Sequence, residues 1–161
     1  MEKIKWCLKV KNGIELVEPN DNLSRIYTKK ADAALSATIM LKNNKEWEIS
    51  SCYYSMYFAL YAILIRIGIK CENHSCTIEF MKEFLRRYFT EEDFKLLKDS
   101  LRARIDAQYY ADREVSESQY RKMIDNAPNF IIKCKEAMFQ IKEAEIADIR
   151  DTLDQMNSQD A

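Results

Sequence analysis

Ser51 to Gly68 read SCYYSMYFALYAILIRIG, and this stretch decides the fold. From Cys52 to Ile65 run fourteen residues broken only by Ser55, four of them tyrosines. A membrane crossing needs about 20 consecutive apolar residues, so the run reads as a buried core helix. That helix is expected to start near Lys45 and to stop at Gly68, a residue suited to the left-handed turn that ends helices. Tyr53, Tyr54, Met56, Tyr57, Phe58, Leu60, Tyr61, Ile63 and Leu64 leave it no polar face. Such a helix must be covered on more than one side. In a chain of 161 residues, neighbouring helices cover one side and a second copy the other, which predicts a homodimer. A different protein partner would satisfy the same surface.

On either side of this helix the apolar residues recur at helical spacing. Leu23, Ile26, Tyr27, Ala31, Ala34, Leu35, Thr38 and Ile39 form the inward stripe of a preceding helix. It starts at Pro19-Asn20-Asp21, ends near Asn43-Asn44 and turns Lys29 and Lys30 outward. In the arm before it, residues 1–19, Val10 to Val17 with Asn12-Gly13 at the centre suggest a small hairpin. After Gly68, a helix beginning near His74 or Ser75 carries Ile78, Met81, Phe84, Leu85 and Tyr88 inward. Thr90-Glu-Glu-Asp93 resembles a capping box and opens a helix with the stripe Phe94, Leu97, Leu101 and Ile105. Ser116-Glu-Ser-Gln119 is a full capping box. It opens a last helix in which Tyr120, Ile124, Ala127, Ile131, Cys134, Met138 and Ile141 alternate by four and three. Pro128 is expected to kink that helix or to split it near Asn126. Past Ala147 the chain turns polar, and its last ten or so residues are expected to fray. The predicted fold is all-α, an up-and-down bundle of four to five helices over residues 20–145. A short N-terminal arm (1–19) precedes it, and a polar C-terminal helix end or tail (146–161) follows.

Formal net charge is −1, so any contact with nucleic acid must come from a local patch. The start, MEKIKWCLKV, lacks the apolar core of a signal peptide. A cytoplasmic location, no membrane association and five reduced cysteines are therefore expected. Cys71, His74 and Cys76 put three possible zinc ligands in six residues, yet a structural site needs four and no fourth is apparent. A loop with two buried thiols, and no metal, is the expectation. No Gly-rich phosphate loop, HExxH or GxSxG occurs, so no cofactor is expected. The numerous carboxylates fall on solvated faces.

Arg104 is the informative position. It lies within about 20° of Leu97 on the helical wheel and so shares the inward stripe. A guanidinium aimed at the interior needs a partner or a task. It reads either as an interhelical or interface ion pair or as an anion or phosphate contact. Gln108, one turn on, extends the same polar line, whereas Arg102 and Asp106 lie on the opposite side and can pair with each other. Tyr109 and Tyr110 close the helix as packing residues. The hydroxyls of the central tyrosines, Tyr54 among them, need partners that an inward arginine can supply. His74, the only histidine, heads its helix as a cap or loop contact.

The aromatic, small-residue helix Ser51–Ala62 resembles that of HEPN domains (higher eukaryotes and prokaryotes nucleotide-binding). Three further features follow in that family's order. They are Gly68 leading to Asn73-His74-Ser75 before a helix with Phe80, then Arg104-Ile-Asp-Ala-Gln-Tyr109, then Glu114-Val115-Ser116 before a helix with Ala127 and Phe130. The entry segment Asn12–Asn20 resembles the arm of short prokaryotic members, and the resemblance covers roughly residues 10–145. It implies a helical bundle, usually a homodimer. Many short members are encoded beside a minimal nucleotidyltransferase, in pairs that behave as toxin and antitoxin. Active members are metal-independent ribonucleases with an arginine, four to six intervening residues and a histidine. The base takes the ribose 2′-hydroxyl proton, and the arginine steadies the charge that develops on the phosphate.

In this chain the histidine's place is taken by Tyr109. A phenol, with an ordinary pKa of about 10, is a poor base at neutral pH. The tyrosine that the partner enzyme adenylates in some members falls by the same count on Ala111, beside Tyr109 and Tyr110. Arg104 and Tyr109 are thus the candidate catalytic residues, with Arg102, Gln108, Tyr110 and Tyr54 as candidate substrate-binding residues. Three functions remain in view. One is a non-enzymatic or weakly active partner of a nucleotidyltransferase that binds nucleotide or RNA phosphate at a dimer cleft. Another is a ribonuclease toxin in which Tyr109 or the remote His74 replaces the missing base. The third is a purely structural dimerisation module.

Overall fold

In the computed structural model, which describes residues 1–158, seven helices and two short strands follow one another along the chain. They are α1 (Glu2–Lys9), β1 (Ile14–Leu16), α2 (Asp21–Met40), α3 (Lys45–Ile67), β2 (Ile69–Cys71), α4 (His74–Phe84), α5 (Glu91–Tyr109), α6 (Glu117–Gln140) and α7 (Glu143–Ser158). The all-α class stands, and the helix boundaries follow local chemistry. Asn20 caps α2 by accepting from the Leu23 amide, and Asn73 caps α4 by accepting from Ser75 and Cys76. Thr90 and Asp93 cap each other's backbone at the head of α5. Gly68 ends α3 in the left-handed conformation, at φ 85°.

The apolar α3 lies at the centre, packed by α2, α5, α6 and β2. Cys52, Tyr53, Met56, Leu60, Ile63 and Leu64 on it are fully buried. Four elements of its own chain cover most of it, so the face left for a second copy is narrower than the apolar run suggests. Tyr54 and Phe58 are left half-buried at one side.

Several expectations are corrected. The arm is no hairpin: it holds α1, whose Ile4 and Cys7 are fully buried, and β1 pairs antiparallel with β2 rather than with its own neighbour. Asn12 at φ 61° still makes the predicted turn, but the strand that meets β1 arrives only after α3. The expected reduced state of all five cysteines gives way to a disulfide between Cys7 and Cys76, 69 residues apart, which ties α1 to α4. Closing so long a loop contributes about 2–4 kcal/mol by restricting the unfolded chain. Cys52, Cys71 and Cys134 are free and buried.

α2 ends at Met40, before Asn43-Asn44, and leaves Ile26 and Ile39 exposed rather than on the inward stripe. Helix α6 runs unbroken through Pro128, because Ala127, Phe130, Ile131 and Cys134 on either side of it are packed in the core. The box at Ser116 is half made: Ser116 accepts from the Gln119 amide, but the Gln119 side chain donates to the Asp99 carbonyl instead. Two carboxylates leave the solvated faces. Glu48 is buried and accepts from the Tyr120 hydroxyl, and Asp93 is buried against Lys133.

The chain's end does not fray within the described residues. Helix α7 buries Ile146, Ile149, Leu153 and Met156, and only the last three residues of the expected tail lie outside the description. Arg150 fixes it in place by donating to the carbonyls of Val17 (2.7 Å), Ile67 (3.2 Å) and Gly68 (2.9 Å). It thereby supplies a donor to carbonyls that the end of α3 leaves open. Among the described residues no helix is long and apolar enough to cross a membrane.

Candidate functional site

Arg104 sits on the inner side of α5, five residues before its end, and is 9 % exposed. A lone guanidinium at that depth needs compensation, and the aromatic face of α3 provides it. Nη2 donates to the Tyr54 hydroxyl at 2.6 Å. The guanidinium carbon lies 5.1 Å from the ring centroid of Tyr54, 5.8 Å from that of Tyr53 and 5.6 Å from that of Tyr109. No carboxylate among the described residues pairs with it, so Arg104 is not part of an interhelical ion pair within the chain. Its Nε is buried and has no hydrogen-bond partner. The protein uses one of five N–H donors and leaves a positive charge with bonding capacity to spare.

His74 is brought to the same place. It caps no helix, because Asn73 does that, and instead stacks on Tyr57 with centroids 4.2 Å apart and planes 14° apart. Its Nδ1 lies 2.6 Å from the Tyr53 hydroxyl. Burial first, and the Arg104 charge with it, push the imidazole's pKa down to about 4. The ring is therefore neutral at pH 7. Burial also drives the Tyr53 phenol well up, so it keeps its proton. Donating that proton to Nδ1 satisfies the phenol and assigns the imidazole hydrogen to Nε2. In this arrangement His74 is a hydrogen-bond donor and a weak base.

The arm completes the site. The Asn12 carbonyl accepts from the amides of Glu72 (3.0 Å) and Asn73 (2.7 Å), which locks the turn after α1 onto the loop before α4. Together Lys11, Asn12, Asn73, His74, Leu101 and Arg104 border an open groove of about 350 Å³, with Glu72 at its edge. Two cations and an imidazole donor against one carboxylate suit an anion with several acceptor oxygens, such as a phosphate.

The remaining predicted site residues divide. Tyr54 holds Arg104 directly, and Tyr109, 64 % exposed, flanks it by its ring. Tyr110 is turned away, stacked under Arg113 at 3.6 Å. Gln108 is exposed and does not extend the inward polar line, since α5 is in its last turn there and has left the core. Arg102 is exposed on the other side, as its spacing implies, but Asp106 pairs with Arg113 (3.0 Å) rather than with it. Lys11 is a site residue that the sequence does not reveal, and His74, which the sequence offers only as a remote substitute base, stands at the site itself. The order Gly68, Asn73-His74-Ser75, Arg104 contains the hint, but only the packing of α4 beside α5 turns it into a contact.

Residues 24–137 match the HEPN domain family. The chain belongs to that family. The match spans α2 through most of α6 and so contains the whole Arg104–His74 pair. The HEPN chain is also 27 % identical over 110 residues to a Methanocaldococcus jannaschii protein named "Putative toxin MJ0142", covering 66 % of this chain and 75 % of that protein.

Proposed function

We propose that this HEPN protein is the partner of a minimal nucleotidyltransferase in a toxin–antitoxin-like pair, and that it binds a nucleotide or RNA phosphate at Arg104. One observation carries the reading: a buried, unpaired guanidinium with unused donors, opening on a groove that also offers Lys11 and the Nε2–H of His74. Family membership and the toxin-named relative support the setting. A dimer cleft belongs to the same proposal on new grounds. The half-buried row Tyr27, Phe58 and Tyr54, in ring contact, leads to Arg104 and the exposed Tyr109, an aromatic border suited to a second copy.

A second reading, the metal-independent ribonuclease, gains support from His74, which stands beside Arg104 where Tyr109 cannot serve as base. An imidazole with a pKa of about 4 and its Nδ1 engaged by Tyr53 takes up a 2′-hydroxyl proton poorly. The binding reading is therefore preferred. The two separate in one sample: a fluorescently labelled oligoribonucleotide is followed by anisotropy, then resolved on a denaturing gel. Saturable binding with the oligonucleotide intact is expected. Cleavage in the presence of EDTA that His74→Gln abolishes would replace the binding reading with the ribonuclease one.

A further inference from the structure

The Arg104 groove does not end at Arg104. Through Ser75 and Leu101 it shares a border with a second groove of about 570 Å³ between α4 and α5. Lys95, Lys98 and Arg102 line that groove and recur at i, i+3 and i+7, so they stand on one exposed face of α5. Lys82 faces them from α4. None of these four side chains forms an ion pair or hydrogen bond among the described residues. Glu79, which also lines the groove, is already taken by Lys3 at 2.8 Å, leaving Glu91 and Asp99 as the remaining carboxylates there. Cations are in excess in a chain whose net charge is −1. Ile78, Phe94 and Leu101 form its apolar part and are each buried, so the groove offers charge rather than a stacking platform.

From these observations we infer that the α4–α5 groove is a second, sequence-independent binding surface, in which Arg102, Lys98 and Lys95 hold further backbone phosphates of a single strand whose first phosphate sits at Arg104. The inference rests on the reading of Arg104 as a phosphate site. Arg104, Leu101, Lys98 and Lys95 form one i, i+3 ridge that winds about half-way round α5 as it rises about 14 Å. One phosphate group cannot reach both ends, whereas a polyanion contacts them together. Contacts to phosphate without stacking make the path insensitive to base sequence.

The test uses the whole protein with two probes, AMP and a labelled oligouridylate, and compares wild type with the triple variant Lys95→Gln, Lys98→Gln, Arg102→Gln. All three sites are exposed, and glutamine is a good helix former, so folding is retained. The oligouridylate is expected to bind wild type more tightly than AMP does. In the variant its affinity is expected to fall roughly tenfold or more, and its log–log salt slope to shrink by about 2, while AMP binding is unchanged. An oligouridylate slope and affinity that ignore the triple substitution would overturn the path. So would polyglutamate competing as well as the oligonucleotide, which would point to an acidic protein. AMP binding that depends on Arg104, with an oligouridylate no tighter, overturns the path and leaves the Arg104 reading intact. Binding of neither probe overturns both.

Discussion

Arg104→Ala is expected to weaken binding of a short oligoribonucleotide roughly ten- to a hundredfold, with the protein still folded. The estimate follows from losing a charge-assisted contact, about 1.5–3 kcal/mol. Its size depends on how the guanidinium is held. The Tyr54 hydroxyl and three tyrosine rings fix its position before any ligand arrives, so little side-chain entropy remains to be lost on binding. Removing it strands no buried carboxylate, and Tyr54 is half-buried, so its hydroxyl can turn to water. The melting temperature is therefore expected to move by only a few degrees. Arg104→Lys keeps the charge but loses the planar fork and the ring contacts, and an intermediate loss is expected. Tyr54→Phe removes only the bond that aims Nη2 and should cost severalfold in affinity. A large drop in melting temperature with unchanged affinity would mean that Arg104 is a packing residue.

For Gly68→Ala the loss is expected in stability, on the order of 3–5 kcal/mol. A non-glycine residue in the left-handed conformation costs about 1–2 kcal/mol, and Gly68 is at φ 85°. The added Cβ would also lie 2.5 Å from the Val17 carbonyl oxygen and collide with Nη1 of Arg150. Arg150 can swing away only by giving up its bonds to Val17, Ile67 and Gly68, which leaves carbonyls at the α3–α7 junction without their donor. At about 2–4 °C per kcal/mol for a chain of this size, the melting temperature should fall by roughly 10 °C. Arg150→Ala is expected to cost about half as much. In the double variant the two losses should add to less than their sum, because part of the glycine penalty is the displacement of Arg150. Full additivity would show that the two residues do not share this junction.

How much of this was legible in the sequence depended on how local each signal was. Helix α3 and its stop at Gly68, the start of α2 at Asn20 and the Thr90–Asp93 box are set within a few residues, and they were read correctly. The failures lie where distant segments meet. Nothing local tells β1 to wait for β2, Cys7 to find Cys76, or α7 to fold back so that Arg150 reaches the end of α3. Those contacts also bear on the dimer argument, since its own chain covers most of α3 and leaves only the side of Tyr54 and Phe58 half-buried. At the site, the helical wheel placed Arg104 inward, because burial on one helix is a local property. It misplaced Gln108, where α5 leaves the core, and it could not say that the helix headed by His74 packs beside α5. Lys11 carries no local signal, because a hairpin-like arm gives no sign that it forms one wall of the groove.

The central claim is that Arg104 and His74 form one phosphate-binding groove, and the lone histidine allows a direct measurement. Its ring resonances can be followed through a pH titration by NMR, without and with saturating oligoribonucleotide. In the free protein the account predicts titration near pH 4, displaced from the usual imidazole range by burial and then by Arg104. Bound phosphate brings negative charge beside the ring, favours the imidazolium and should raise that pKa clearly. In Arg104→Ala the free value should rise as well, and the response to the oligonucleotide should largely vanish. A histidine that titrates near its ordinary value of about 6.5, and does not respond to ligand or to the loss of Arg104, would contradict the account.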